Sequence, residues 1–159
     1  MPWILVRLDD RLLHGQVAVG WAGRLKPRAI VIGDDSLSAS DLGRELAEAS
    51  APPGVEVRVV PLLEAVALPP AESDGAFLLL RGPAELLRAV RAGADLPRVN
   101  VGGLHAAPGR VRILDYFHAD PGEAAALREA AAAGCHLAAQ DVPGNPEHEV
   151  LTLLLKAGL

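Results

Sequence analysis

The feature that most constrains this chain is alternation. Apolar runs of strand length recur at 3–8, 29–32, 55–60, 76–80, 98–101, 111–114 and 135–139. Between most of them lie stretches with apolar residues at helical spacing, at 15–25, 39–49, 83–92, 121–133 and 146–157. Strands that alternate with helices along the chain characteristically lie parallel in one sheet, so the pattern calls for right-handed crossovers. The expected fold is α/β: an open, mostly parallel, doubly wound sheet with helices on both faces. The punctuation agrees, since "APPGV", "LPPAESDG", "NVGG" and "VPGNP" are turn chemistry. None is long enough for a linker, and 159 residues suit one domain over 1–159, able to bury roughly 70% of its unfolded surface.

Composition narrows the function. Two tryptophans, one tyrosine and two phenylalanines leave the core to aliphatic side chains and provide no stacking platform for single strands. A net charge of -5 gives no attraction to phosphate backbones, so no nucleic-acid partner is expected. A lone Cys135 forms no internal disulfide, no apolar stretch approaches a membrane span, and the opening "MPWILVRLDD" reaches charge too early for a signal peptide. These features point to the reducing cytoplasm, with no direct membrane insertion.

The chemistry concentrates at the end of the first strand, in "RLDDRLLHGQV", residues 7 to 17. Ligands of open parallel sheets bind outside the carboxyl ends of the strands, where loops lead into helices. His14 then sits at the start of the first helix, whose free N–H groups favour an anion. A neutral imidazole there offers a lone pair for nucleophilic attack. Arg11, with Arg7, supplies positive charge for the oxygens of a transferring phosphoryl group, and either Asp9 or Asp10 can orient the ring or hold an arginine. Gly15 leaves room for a phosphate and Gln16 adds a neutral donor. Leu12 and Leu13 are read as an apolar rim, with core as the ordinary alternative for leucine.

Two other segments bear on the site. Gly102 and Gly103 of "NVGGLH" allow close backbone approach to a phosphate, and His105 follows them. Asp34 and Asp35 end the second strand, expected beside the first, and Arg81 ends the strand at 76–80. No third ligand accompanies the two aspartates, and His118, His136 and His148 have no zinc spacing with Cys135. No metal site is expected.

The stretch "RLDDRLLHGQV" resembles the signature R-[IL]-D-D-R-[LF]-[IL]-H-G-Q-[VI] of the IIB components of the mannose/fructose/sorbose family, in the bacterial phosphoenolpyruvate-dependent sugar phosphotransferase system. "AIVIGDD", "AFLLLRGPAELLRAVRAG", "VNVGGLH" and "EAAALREAAAAGCHLAAQDVP" follow in the family's order, so the likeness spans the chain. The resemblance implies a transferase that carries phosphate covalently on His14 without a cofactor, with Asp10, Arg11, Gly15 and Gln16 shaping the site. It implies a IIA protein or domain as phosphoryl donor, itself charged by HPr, and a sugar imported by IIC and IID membrane components as acceptor. A IIB-like phosphorylation sensor without a transport role keeps the same histidine and stays open at this point. The chain departs from many relatives at Arg81-Gly82-Pro83, where they have an Asn-Pro turn.

Overall fold

The computed structural model describes residues 3–159; Met1 and Pro2, where the segment read for a leader begins, lie outside the described residues. The main sheet is built from β1 (Trp3–Asp9), β2 (Ala29–Gly33), β3 (Glu56–Val60), β4 (Ala76–Leu80), β5 (Arg98–Gly103), β8 (His136–Ala139) and β9 (His148–Glu149). Their order is β3-β2-β4-β1-β5-β8-β9, and every pairing is parallel except the short β8–β9 edge. The central strands are buried on both faces, which is why they read as near-continuous apolar runs.

Strand periodicity divides the core. Val6 and Leu8, Ala29 and Val31, Leu78 and Leu80, Val99 and Val101 face one side, against α4 (Leu62–Val66), α6 (Pro83–Arg91), α7 (Pro121–Ala132) and α8 (Val150–Lys156). Leu5, Ile30, Ile32, Phe77 and Leu79 face the other. There they meet the helix that follows the first loop, a π-helical stretch Gln16–Trp21 continued by α1 (Ala22–Leu25). Short α2 (Asp35–Ser38), α3 (Asp41–Ala49) and α5 (Pro70–Ser73) complete the helices.

The expected doubly wound architecture is present, with three differences. β4, not β2, lies beside β1, because the chain returns from β3 into the gap. Asp34 and Asp35 are therefore one strand further from the first loop than expected. The run at 111–114 forms β6 (Val111–Leu114), which pairs antiparallel with β7 (Phe117–Ala119) outside the main sheet. Its residues are exposed or half-buried, so this hairpin flap lacks the two-sided burial that an inner parallel strand needs. The last helix begins at Val150 rather than near 146, since His148 and Glu149 first pair with β8 and Glu149 caps the helix through Leu151 and Thr152 N–H.

The loop after β1 leads to a helix on one face, whereas β4 leads to α6 on the other. That divergence opens the crevice in which parallel sheets place their ligands.

Candidate functional site

Alternation along β1 fixes the first layer of the site. Leu5, Arg7 and Asp9 share one face, and the β1–β5 register sets Arg7 opposite Asn100. The Arg7 guanidinium is fully buried. Its Nη1 donates to Asn100 Oδ1 at 2.8 Å and to the carbonyls of Asp141 and Gln140 at 3.0 and 3.2 Å. Its Nη2 donates to Asp9 Oδ2 at 3.0 Å and to Gln16 Oε1 at 3.4 Å, and Trp21 lies with its ring centroid 5.6 Å from Cζ. A guanidinium in this position needs space that only glycine leaves: a Cβ on Gly102 would fall 1.9 Å from Arg7 Cζ, and one on Gly103 2.7 Å from Asp9 Oδ2.

Asp9 is buried with it and organises the loop. Its Oδ1 accepts the Arg11 N–H at 3.0 Å, and its Oδ2 lies 2.7 Å from His14 Nε2. Burial pushes this carboxyl up, but the hydrogen bond from His14, the charge of Arg7 and the Arg11 amide outweigh it and hold it below the ordinary aspartate value. Burial likewise lowers Arg7, opposed by its pairing with Asp9, although an arginine remains a cation. A carboxylate only accepts, so in the neutral form of the ring the proton sits on Nε2 and the lone pair on Nδ1. The Gln16 N–H donates to Nδ1 at a loose 3.4 Å. Arg11 is 44% exposed, with Nη2 on Gln16 Oε1 at 3.2 Å and Nε 3.5 Å from Asp9. Arg7 and Arg11 together exceed Asp9 by one positive charge, which suits an arriving anion.

The backbone between Asp9 and His14 is tightly turned. Leu12 N–H donates to Asp9 carbonyl at 2.9 Å, and Leu12 adopts φ +57, an unusual conformation for a branched residue. The buried Leu12 side chain packs beside Val17 and Trp21, which holds the turn in place. Past His14, Gly15 opens the helix in ordinary helical backbone, and a Cβ there would meet nothing within 4 Å.

Several expected site residues take other positions. Arg7 has no exposed surface, so it acts through Asp9 and Gln16 instead of touching a phosphate. Gly102 and Gly103 are buried, and the space they leave is filled by Arg7 and Asp9, not by a ligand. Asp10 is engaged by His105 and Arg110: its Oδ1 lies 2.6 Å from His105 Nδ1, and its Oδ2 accepts the His105 N–H at 2.7 Å and Arg110 Nη1 at 3.3 Å. Burial raises Asp10, but these His105 and Arg110 bonds hold it low. It anchors the loop after β5 to the loop after β1, and the ring-orienting role falls to Asp9. Leu12 belongs to the core and not to the rim, while Leu13 is half-buried. Arg81 does reach the crevice, bonding Asp34 Oδ2 at 2.7 Å and the Asp10 carbonyl at 3.4 Å. Asn100, Trp21 and the carbonyls at 140 and 141 are site components that motif reasoning misses. For Asn100 a signal exists, in its parity along β5 with the glycine at 102.

Among the described residues, Asp9, Asp10 and His105 each bring a potential metal ligand within 4.8 Å of the others. The oxygens already accept from Arg7, His14, Arg11, His105 and Arg110, the partners of an ion-paired network. No helix among the described residues is long and apolar enough to cross a membrane.

Comparison with known proteins agrees with this geometry. A family profile described as "PTS system sorbose subfamily IIB component" matches residues 3–159. The sorbose-specific EIIB component of Klebsiella pneumoniae is 33% identical over 154 residues, covering 95% of this chain and 94% of that protein. The N-acetylgalactosamine-specific phosphotransferase enzyme IIB component 2 of Escherichia coli K12 is 31% identical, covering 95% and 98%. The mannose-specific EIIAB component of the same strain is 29% identical over 96% of this chain, which spans only 48% of that longer protein. The crystal structure of the IIBSor domain of the Klebsiella pneumoniae sorbose permease superposes with a TM-score of 0.89 at 31% identity, covering 98% of each chain. With the profile matching residues 3–159, relatives above 30% identity covering more than nine-tenths of both chains, and the fold superposing, this chain belongs to the sorbose subfamily of phosphotransferase-system IIB components.

Proposed function

We propose that the protein carries phosphate on His14 Nδ1, taking it from a phosphohistidine on a IIA protein or domain and passing it to a sugar brought in by IIC and IID membrane components. The observation that carries this reading is the 2.7 Å contact of His14 Nε2 with Asp9, which leaves Nδ1 as the one lone pair of the neutral ring. In the forward step the Nδ1 lone pair bonds phosphorus as the donor's N–P bond breaks, and the donor imidazole recovers its own pair. As Nδ1 gives up electron density the Nε2 proton becomes more acidic, and the Asp9 carboxylate, held by Arg7, compensates the charge that develops on the ring. Arg11 stands where it can neutralise phosphoryl oxygens, and the Gln16 N–H facing Nδ1 can turn its hydrogen bond to one of them. In the second step a sugar hydroxyl attacks phosphorus, the N–P bond breaks, the hydroxyl proton is lost to solvent and Nδ1 regains its pair.

The test is intact-mass spectrometry after incubation with phosphoenolpyruvate, enzyme I, HPr and a IIA partner. Wild type should gain one acid-labile phosphate and His14→Ala none, with phosphorus NMR placing it on Nδ1. An unlabelled wild type in the presence of a verified, charged IIA protein would overturn the reading.

A further inference from the structure

Helix α3 is amphipathic yet buries none of its residues completely. Leu42 and Leu46, one turn apart on the same stripe, are 65% and 60% exposed. The stripe does not stand alone. Leu46, Ala47 and Gly43 line one wall of a groove whose other wall is Arg11, Leu12 and Leu13, the loop that carries His14. Leu37 and Arg81 close its remaining sides. A second exposed pair, Leu151 and Leu155, lies on α8, which packs on α7, β8 and β9, away from this loop.

We infer that the α3 stripe and its groove are the docking surface for the protein that delivers the phosphoryl group. This rests on the phosphoryl-carrier reading above and adds to it where the donor sits. Two observations choose the occupant. The apolar surface runs directly into the loop of the accepting histidine, so a protein seated on it covers His14. Its edge next to His14 is cationic, with the Arg11 and Arg81 side chains 44% and 42% exposed and Arg81 paired with Asp34, whereas α3 itself carries Asp41, Glu45 and Glu48 beside Arg44. The incoming partner bears an anionic phosphohistidine, whereas the outgoing acceptor is a neutral hydroxyl, so the positive edge complements the donor. The partner surface that fits is an apolar patch bordered by carboxylates around its phosphohistidine.

The experiment measures transfer from phosphorylated IIA as a function of IIA concentration, comparing wild type with Leu42→Glu/Leu46→Glu and with the milder Leu42→Gln/Leu46→Gln. Both pairs are solvent-facing, so circular dichroism should show an unchanged fold. Loss of docking raises the half-saturating IIA concentration at least about tenfold while the saturating rate stays within about twofold, as expected when uniform binding is removed. An unchanged concentration dependence overturns the docking surface and leaves the carrier function standing. So does a defect confined to transfer onward to sugar in permease-containing membranes, or concentration-dependent self-association of wild type that the variants abolish without slowing IIA. Failure of wild type to accept phosphate at any IIA concentration would overturn the carrier reading and this inference with it.

Discussion

Replacing Gly102 by alanine tests whether the site is built on a buried cation. A methyl group there would lie 1.9 Å from Arg7 Cζ, 2.0 Å from Nη1 and 2.4 Å from Nη2, where ordinary contact begins near 3.4 Å. The guanidinium is fully buried and held by five acceptor contacts, so it has no neighbouring rotamer to take without losing them. Displacing it leaves Asp9 as a buried carboxylate without its cation, and breaking a buried pair from one side costs about 3–5 kcal/mol. For a domain of this size each kcal/mol moves the melting temperature by roughly 2–4 °C, so a loss of roughly 6–20 °C is expected. Gly15→Ala is the control: its backbone is helical and its surroundings open, so its stability should change by no more than about 0.5 kcal/mol. Thermal and urea denaturation followed by circular dichroism measure both variants, and phosphate uptake from IIA measures the site. A Gly102→Ala protein that melts within about 2 °C of wild type and still accepts phosphate would refute the buried-clamp account.

Asp9→Asn should slow phosphate uptake by about 10²–10⁴-fold, because an amide no longer fixes the Nε2 proton; a rate within threefold of wild type in rapid-quench assays would remove Asp9 from the mechanism. Leu12→Gly relieves a left-handed leucine worth about 1–2 kcal/mol but deletes a buried side chain worth roughly 3–5, so a net loss of about 2 kcal/mol is expected in urea titrations, and a gain would mean that strain dominates. Asp9, Asp10 and Asp34 all titrate below their ordinary values, so their stabilisation is complete above about pH 4 and lost as pH falls through the lowered folded values. The urea midpoint should therefore hold from pH 7 to about 5 and fall below about 4, with a shallower fall in Asp9→Asn.

Much of this protein is legible in its amino-acid order. Apolar runs and helical spacing dictate the parallel sheet, because each strand–helix pair must cross over to bury its faces, and the loop after the first run has to lie at the ligand-binding edge. The motif places His14 at that edge, beside Arg11 and Gln16. The sequence alone leaves Asp9 and Asp10 as alternatives for orienting His14; the structure decides for Asp9, which ends β1 on the face of residues 5 and 7, while Asp10 lies beyond the strand and turns to His105. Other decisions belong to tertiary structure, because they depend on which strands become neighbours. Insertion of β4 between β2 and β1 carries Asp34 away from the loop and brings Arg81 to it. The β1–β5 register turns Gly102 into the space for a guanidinium and Asn100 into its acceptor. Sequence determined which chemical groups gather at the end of the first strand; the lateral order and register of the strands decided which are buried to hold His14, and which remain exposed to meet a partner.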